Sequence, residues 1–259
     1  MALIHYQFYS EVLKKNTAMY VVVPEYPVIK NNDQLKVLYL LHGLNDDYTK
    51  WVRRTPIERY AKKDNWIIIM PDGGKSYYTN CIRGDKYWDY MAKELPEIVY
   101  TLFPYVSKKR EDHYVAGLSM GGYGSMKLAL NYPDSFKAAA SFSGALNLKK
   151  EITDYPENKD VYQNAFESWE QVKNTENDLI YQAKKIKKQG KNIPYIYVSC
   201  GKQDDIYGQN QDFIKELDVL KIPYTYKEWE GNHDWEFWDE SITVSYTHLR
   251  AHETSLHLV

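Results

Sequence analysis

Cysteine is scarce: Cys81 and Cys200 are the only two in 259 residues. Two isolated thiols exclude a disulfide framework and leave no cysteine pair or cluster at metal-ligand spacing. No apolar run approaches the length that spans a bilayer. The start, MALIHYQFYSEVLKKNTAMYVVVP, lacks the apolar stretch behind a basic start that marks a secretory signal, and reads as a pair of strands. Neither charge dominates. The 33 basic and 35 acidic residues leave a net charge of -2, with the two signs interspersed. That removes the electrostatic basis for binding nucleic acid or an anionic membrane. The expectation is a cytoplasmic protein with no nucleic-acid partner, no membrane partner and no bound metal.

What is present is an ordinary globular composition, 44% hydrophobic and 26% charged, in a length that fits one large α/β domain. Strand-like and helix-like segments alternate after the N-terminal pair. KVLYLLHG (36–43) and WIIIMPDGG (66–74) are continuous apolar runs, as strands buried on both faces require. A helical stretch over 51–62 lies between them. Apolar residues at helical spacing fill 87–106, where Pro96 belongs near a helix start or a kink. HYVAGLS, FKAAASFSG, IPYIYVSCG and PYTYKEWEG continue the strands, with helices between them. Such repeats predict a mostly parallel central sheet with helices on both faces. Residues 145–175 break the rhythm. They are polar and irregular, an expected insertion beside the C-terminal edge of the sheet.

Ligands of such sheets bind at the C-terminal strand ends. Gly117-Leu118-Ser119-Met120-Gly121 stands at one of them, between a strand and a helix. G-x-S-x-G in that setting is a nucleophile elbow: the serine sits on a strained turn, and the glycines leave room for it. The N–H of Met120, at the helix start, is an expected oxyanion donor. A serine hydroxyl needs a base. The only histidine between Ser119 and residue 247 is His233, in EWEGNHDWEFW. The acid belongs after the preceding strand, where YVSCGKQDDIYG offers both Asp204 and Asp205; spacing does not choose between them. The loop after an earlier strand, LLHGLNDDYTKW, supplies the N–H of Leu44 as second oxyanion donor. His42 is expected to be structural, and His5 and His113 to be packing residues. An inactive fold kept as a binding module would lack one of the three residue types, and none is lacking.

The stretches YLLHGLNDDYTKW, IIMPDGGKSYYTN, AGLSMGGYGSMKLAL, SCGKQDDIY and EGNHDWEFW, taken together, resemble the esterase D-like serine esterases of the α/β-hydrolase superfamily. Within it, the chain is most similar to the tributyrin esterase group, which is related to acetylxylan and feruloyl esterases and to S-formylglutathione hydrolases. The resemblance implies an α/β-hydrolase fold and a serine carboxylesterase that needs no cofactor. Its substrate would be a small-molecule or carbohydrate-linked ester. Cys200-Gly201-Lys202-Gln203-Asp204 matches the family's acid motif and implies Asp204 rather than Asp205. More loosely, it implies a substrate pocket lined by Tyr48, Trp51, Tyr78, Trp88 and Trp235. Asn45-Asp46 replaces the cysteine that S-formylglutathione hydrolases carry in the first oxyanion loop. Short acyl esters are therefore the leading expectation, with feruloyl or acetylxylan esters as the alternative.

The last residues, 244–259, differ in kind. VSYTHLRAHET reverse-translates into the transposase adapter of short-read sequencing libraries. The expectation is a single domain over 1–243 followed by a non-native tail, whose His248, His252 and His257 take no part in chemistry.

Overall fold

A computed structural model describes residues 1–25, 34–62 and 66–254. Its centre is an eight-stranded sheet in the order β1-β2-β4-β3-β5-β6-β7-β8. The strands are β1 (Ala2–Ser10), β2 (Lys15–Val23), β3 (Val37–Leu41), β4 (Ile67–Pro71), β5 (His113–Leu118), β6 (Ala138–Phe142), β7 (Tyr195–Gly201) and β8 (Tyr224–Trp229). The first two form a hairpin that joins β4 antiparallel; β3 to β8 are parallel.

Two apolar layers explain the continuous runs. Successive strand residues point to opposite faces. Val37, Tyr39, Leu41, Ile67 and Ile69 enter one core cluster, while Leu38, Leu40, Ile68 and Met70 enter the other. The first layer is closed by helices Met120–Asn131, Leu179–Lys188 and Tyr207–Val219, and by the segment from Tyr87 to Leu102. The second is closed by Lys50–Arg54, Ile57–Lys62 and the C-terminal helix Trp235–Thr254. Five-residue strands such as β3 and β4 are held by this two-sided burial. Each enclosed Leu or Ile contributes roughly 1.5–3 kcal/mol.

Pro96 falls in the first turn of helix Leu95–Leu102, directly after a π-helical turn over Tyr90–Glu94. The wider turn removes the need for the N–H that proline lacks. The 145–175 stretch is more ordered than its composition suggests. It carries the short helices Leu148–Asp154, Lys159–Ala165 and Trp169–Val172. The C-terminal helix crosses the expected boundary at 243 without a break. Val244 packs against the second core cluster and Ser245 is buried. Residues 255–259, the end of the expected tail, lie outside the described residues.

Candidate active site

β5 ends at Leu118, and Ser119 turns the chain into helix Met120–Asn131 with φ +52° and ψ -119°. A side chain there is strained, at a cost of order 1–3 kcal/mol that the surroundings must hold in place. The Ser119 N–H donates to Phe142 O (3.0 Å), and its carbonyl accepts from Tyr123 N (3.1 Å) and Ala145 N (3.2 Å). Gly117 answers to close approach: a Cβ on it would lie 2.3 Å from Gly121 O, which is backbone and cannot swing aside. Gly117→Ala is therefore expected to cost about 1–3 kcal/mol of stability and to displace the turn. A thermal melt read beside esterase activity checks both losses.

His233 follows β8 and reaches back over this turn. Its Nε2 is 3.0 Å from Ser119 Oγ, and its Nδ1 is 3.0 Å from each oxygen of Asp204. A carboxylate only accepts, so Nδ1 carries the proton and Nε2 is free to accept from the Ser119 hydroxyl. The Asp204 side chain is wholly buried, and its Oδ1 also accepts from Ile206 N (3.0 Å) at the start of helix Tyr207–Val219. Asp205 is exposed. Asp204 thus makes both the imidazole contact and the contact at the helix start, and Asp205 makes neither. The two loops are pinned together by Gln203, whose N–H donates to Gly231 O and whose Oε1 accepts from Gly231 N (2.8 Å). Nothing in the sequence singled out Gln203.

The His42-Gly43-Leu44 turn lies beside the serine: a Cβ on Gly43 would be 3.6 Å from Ser119 Cβ. His42 is buried, with Nε2 accepting from Gly73 N (2.8 Å) and Nδ1 facing Gly43 O at 2.8 Å. Met120 opens its helix, where the first N–H groups have no intrahelical acceptor.

The five expected pocket residues scatter. Trp51 is fully buried in the second core cluster, with Nε1 donating to Leu41 O (3.1 Å). Tyr78 and Trp88 are buried in the first. Burial leaves these three no open face, a correction that takes them out of the pocket lining. Tyr48 leans away onto the N-terminal hairpin, stacked on His5 and hydrogen-bonded to its Nε2 at 3.1 Å. His5, expected to pack, is instead an exposed partner of Tyr48. Trp235 is one ring removed from His233: it touches Trp238, and Trp238 meets the His233 ring edge-on at 4.9 Å. His113 is buried as expected; burial pulls its pKa down, and Nε2 lies 2.6 Å from Ser107 O.

The 145–175 stretch approaches this end of the sheet. Tyr155 donates to Asp205 O (3.1 Å). Buried Glu151 accepts from Tyr77 OH (2.7 Å), Tyr162 OH (2.9 Å) and Gln209 Nε2 (2.7 Å), tying three segments together. In the sequence, KKEITD is part of a polar, irregular stretch, which is why Glu151 gave no signal.

A parallel sheet with a serine on a strained strand–helix turn and a histidine–aspartate pair over it defines the class: an α/β-hydrolase fold of the serine hydrolase type. The chain belongs to the Esterase family, whose model matches residues 10–249. It is 30% identical to the acetyl esterase of Caldicellulosiruptor saccharolyticus, over 95% of this chain and 97% of that protein. Among solved structures it is similar to FphF, a fluorophosphonate-binding serine hydrolase of Staphylococcus aureus. That match has a TM-score of 0.89 and 35% identity, and covers 96% of this chain and 98% of the other. It is also similar to the S-formylglutathione hydrolase FrmB of the same organism, with a TM-score of 0.86, 35% identity and the same coverage. The chain is a carboxylic ester hydrolase.

Proposed function

We propose that this esterase hydrolyses short-chain acyl esters, acetyl esters foremost, through an acyl-serine intermediate on Ser119. The observation that carries the reading is the single imidazole of His233 spanning Ser119 Oγ and the Asp204 carboxylate at 3.0 Å on both sides. In this reading His233 Nε2 takes the Ser119 proton as Oγ bonds to the acyl carbon. The carbonyl π electrons move onto oxygen, and the oxyanion is held by the N–H groups of Leu44 and Met120. Collapse breaks the ester C–O bond, and the proton on Nε2 passes to the departing alcohol. A water then takes the alcohol's place: His233 removes its proton as its oxygen bonds to the acyl carbon, the acyl–Oγ bond breaks, and the proton on Nε2 passes to Oγ, so that the acid leaves with Ser119 restored. Buried Asp204 keeps the imidazole in the right tautomer and supports its charged form.

Two considerations favour a small acyl group. Two relatives with at least 30% identity are named as an acetyl esterase and an S-formylglutathione hydrolase, whose acyl groups have two carbons and one. The aromatic wall that would suit a feruloyl group is missing from the places expected for it, because Trp51, Tyr78 and Trp88 are buried in the cores. The test is a panel of acetyl, butyryl, octanoyl and feruloyl esters together with S-formylglutathione. The proposal expects kcat/KM to be highest for acetyl and to fall with chain length. A preference for octanoyl or feruloyl esters would overturn it, and a preference for S-formylglutathione would move the substrate class to thioesters.

A further inference from the structure

Lys127 is completely buried two turns along the helix that Ser119 starts. Among the described residues no carboxylate pairs with it. Its Nζ donates to Tyr78 O at 3.0 Å and lies 4.2 Å from the centre of the Trp88 ring. Burial pulls its pKa down to about 7, against the opposing pull of Glu176 and Cys81. A buried unpaired ammonium is costly. The backbone it holds is costly too, since Tyr77 and Tyr78 are consecutive left-handed residues, φ +50° and +49°. The Tyr78 ring fills the space where a Cβ on Gly124 would stand, 2.5 Å from its Cδ2. Its hydroxyl donates to His42 O at 2.9 Å. The His42 ring is locked in turn: Nε2 accepts from Gly73 N, so Nδ1 bears the hydrogen and donates it to Gly43 O at 2.8 Å.

We infer that Lys127, Tyr78 and His42 form a chain of positioning residues that sets the Gly43–Leu44 peptide and aims the Leu44 N–H at the developing oxyanion. The geometry follows from the peptide unit. In a trans peptide the C=O and N–H point in opposite directions. Gly43 O also accepts from Asp46 N (3.2 Å); the shorter bond to the His42 ring turns the Leu44 N–H away from that ring and opposes a flip of the peptide. A flipped peptide would present a carbonyl oxygen to the oxyanion and repel it. The chain touches no substrate. It acts through one N–H that matters more in the transition state than in the ground state.

The inference rests on Ser119 as nucleophile and Leu44 as donor, and the test separates the two. Tyr78→Phe removes only the hydroxyl on His42 O; Lys127→Met replaces the buried ammonium by an apolar side chain of similar length. Full removal of an oxyanion donor costs on the order of 10²–10³ in kcat. A mis-aimed donor should cost less, roughly tenfold to thirtyfold in each variant, with KM within about twofold. A small trifluoromethyl ketone, which adds to the serine to form a tetrahedral oxyanion, should lose affinity by the same factor as kcat. Thermal melts establish that each variant is folded, and Tyr78→Phe decides the matter if Lys127→Met does not fold. Folded variants with unchanged kcat would overturn the inference. So would a lower kcat with undiminished trifluoromethyl ketone inhibition, since the residues would then be merely structural. Retained hydrolysis in Ser119→Ala would instead refute the nucleophile assignment on which the chain depends.

Discussion

Replacing Ser119 by alanine is expected to lower kcat by a factor on the order of 10⁵–10⁶ while leaving the fold intact. The hydroxyl is the one group in the proposed cycle that forms a covalent bond, and His233 has no other hydroxyl within hydrogen-bond distance among the described contacts. The backbone bonds that fix the turn, to Phe142 O and from Tyr123 N and Ala145 N, do not use the side chain and survive the change. Alanine keeps the strain of φ +52°, so the melting temperature should barely move. Ser119→Gly makes a sharper companion. It removes the same hydroxyl and also relieves the left-handed strain, so it should be equally inactive yet more stable, by of order 1 kcal/mol. A melt and a hydrolysis assay on both variants check this. Activity in either would send the nucleophile elsewhere.

Asp204→Asn is expected to lower kcat by a factor on the order of 10⁴. The carboxylate accepts from His233 Nδ1 with both oxygens and from Ile206 N, and its side chain is wholly buried. An amide offers one oxygen and an NH₂ group. With the oxygen retained by Ile206, the NH₂ faces Nδ1 and forces the imidazole into the tautomer that cannot accept from Ser119. Asp205→Asn, on an exposed residue, should stay within about twofold. Steady-state kinetics on the pair read the contrast directly. Equal losses, or the larger loss at Asp205, would contradict the placement of the acid.

The parallel sheet was legible because β3 and β4 are buried on both faces, and that burial is written into KVLYLL and WIIIM as uninterrupted apolar runs. The serine and histidine were legible because the elbow requires glycines at fixed offsets and few histidines compete. The choice between Asp204 and Asp205 could not come from spacing: adjacent residues in a turn differ in direction, not in reach. Tryptophan and tyrosine misled the pocket reading for a related reason. A large aromatic is buried in a core as readily as it lines a site, and Trp51 and Trp88 are both buried. Lys127 was invisible because a lysine in SMKLAL reads as a solvated helix face. Its burial depends on Tyr78 and Trp88, which approach from distant positions in the chain.

The central claim, covalent catalysis from Ser119, is tested most directly by mapping the site of a fluorophosphonate adduct. The protein is treated with the reagent at neutral pH, digested and read by peptide mass spectrometry. The account predicts one adduct, on Ser119, absent from Ser119→Ala and slowed in Asp204→Asn. An adduct on any other residue with Ser119 unmodified, or labelling undiminished in Ser119→Ala, would contradict it.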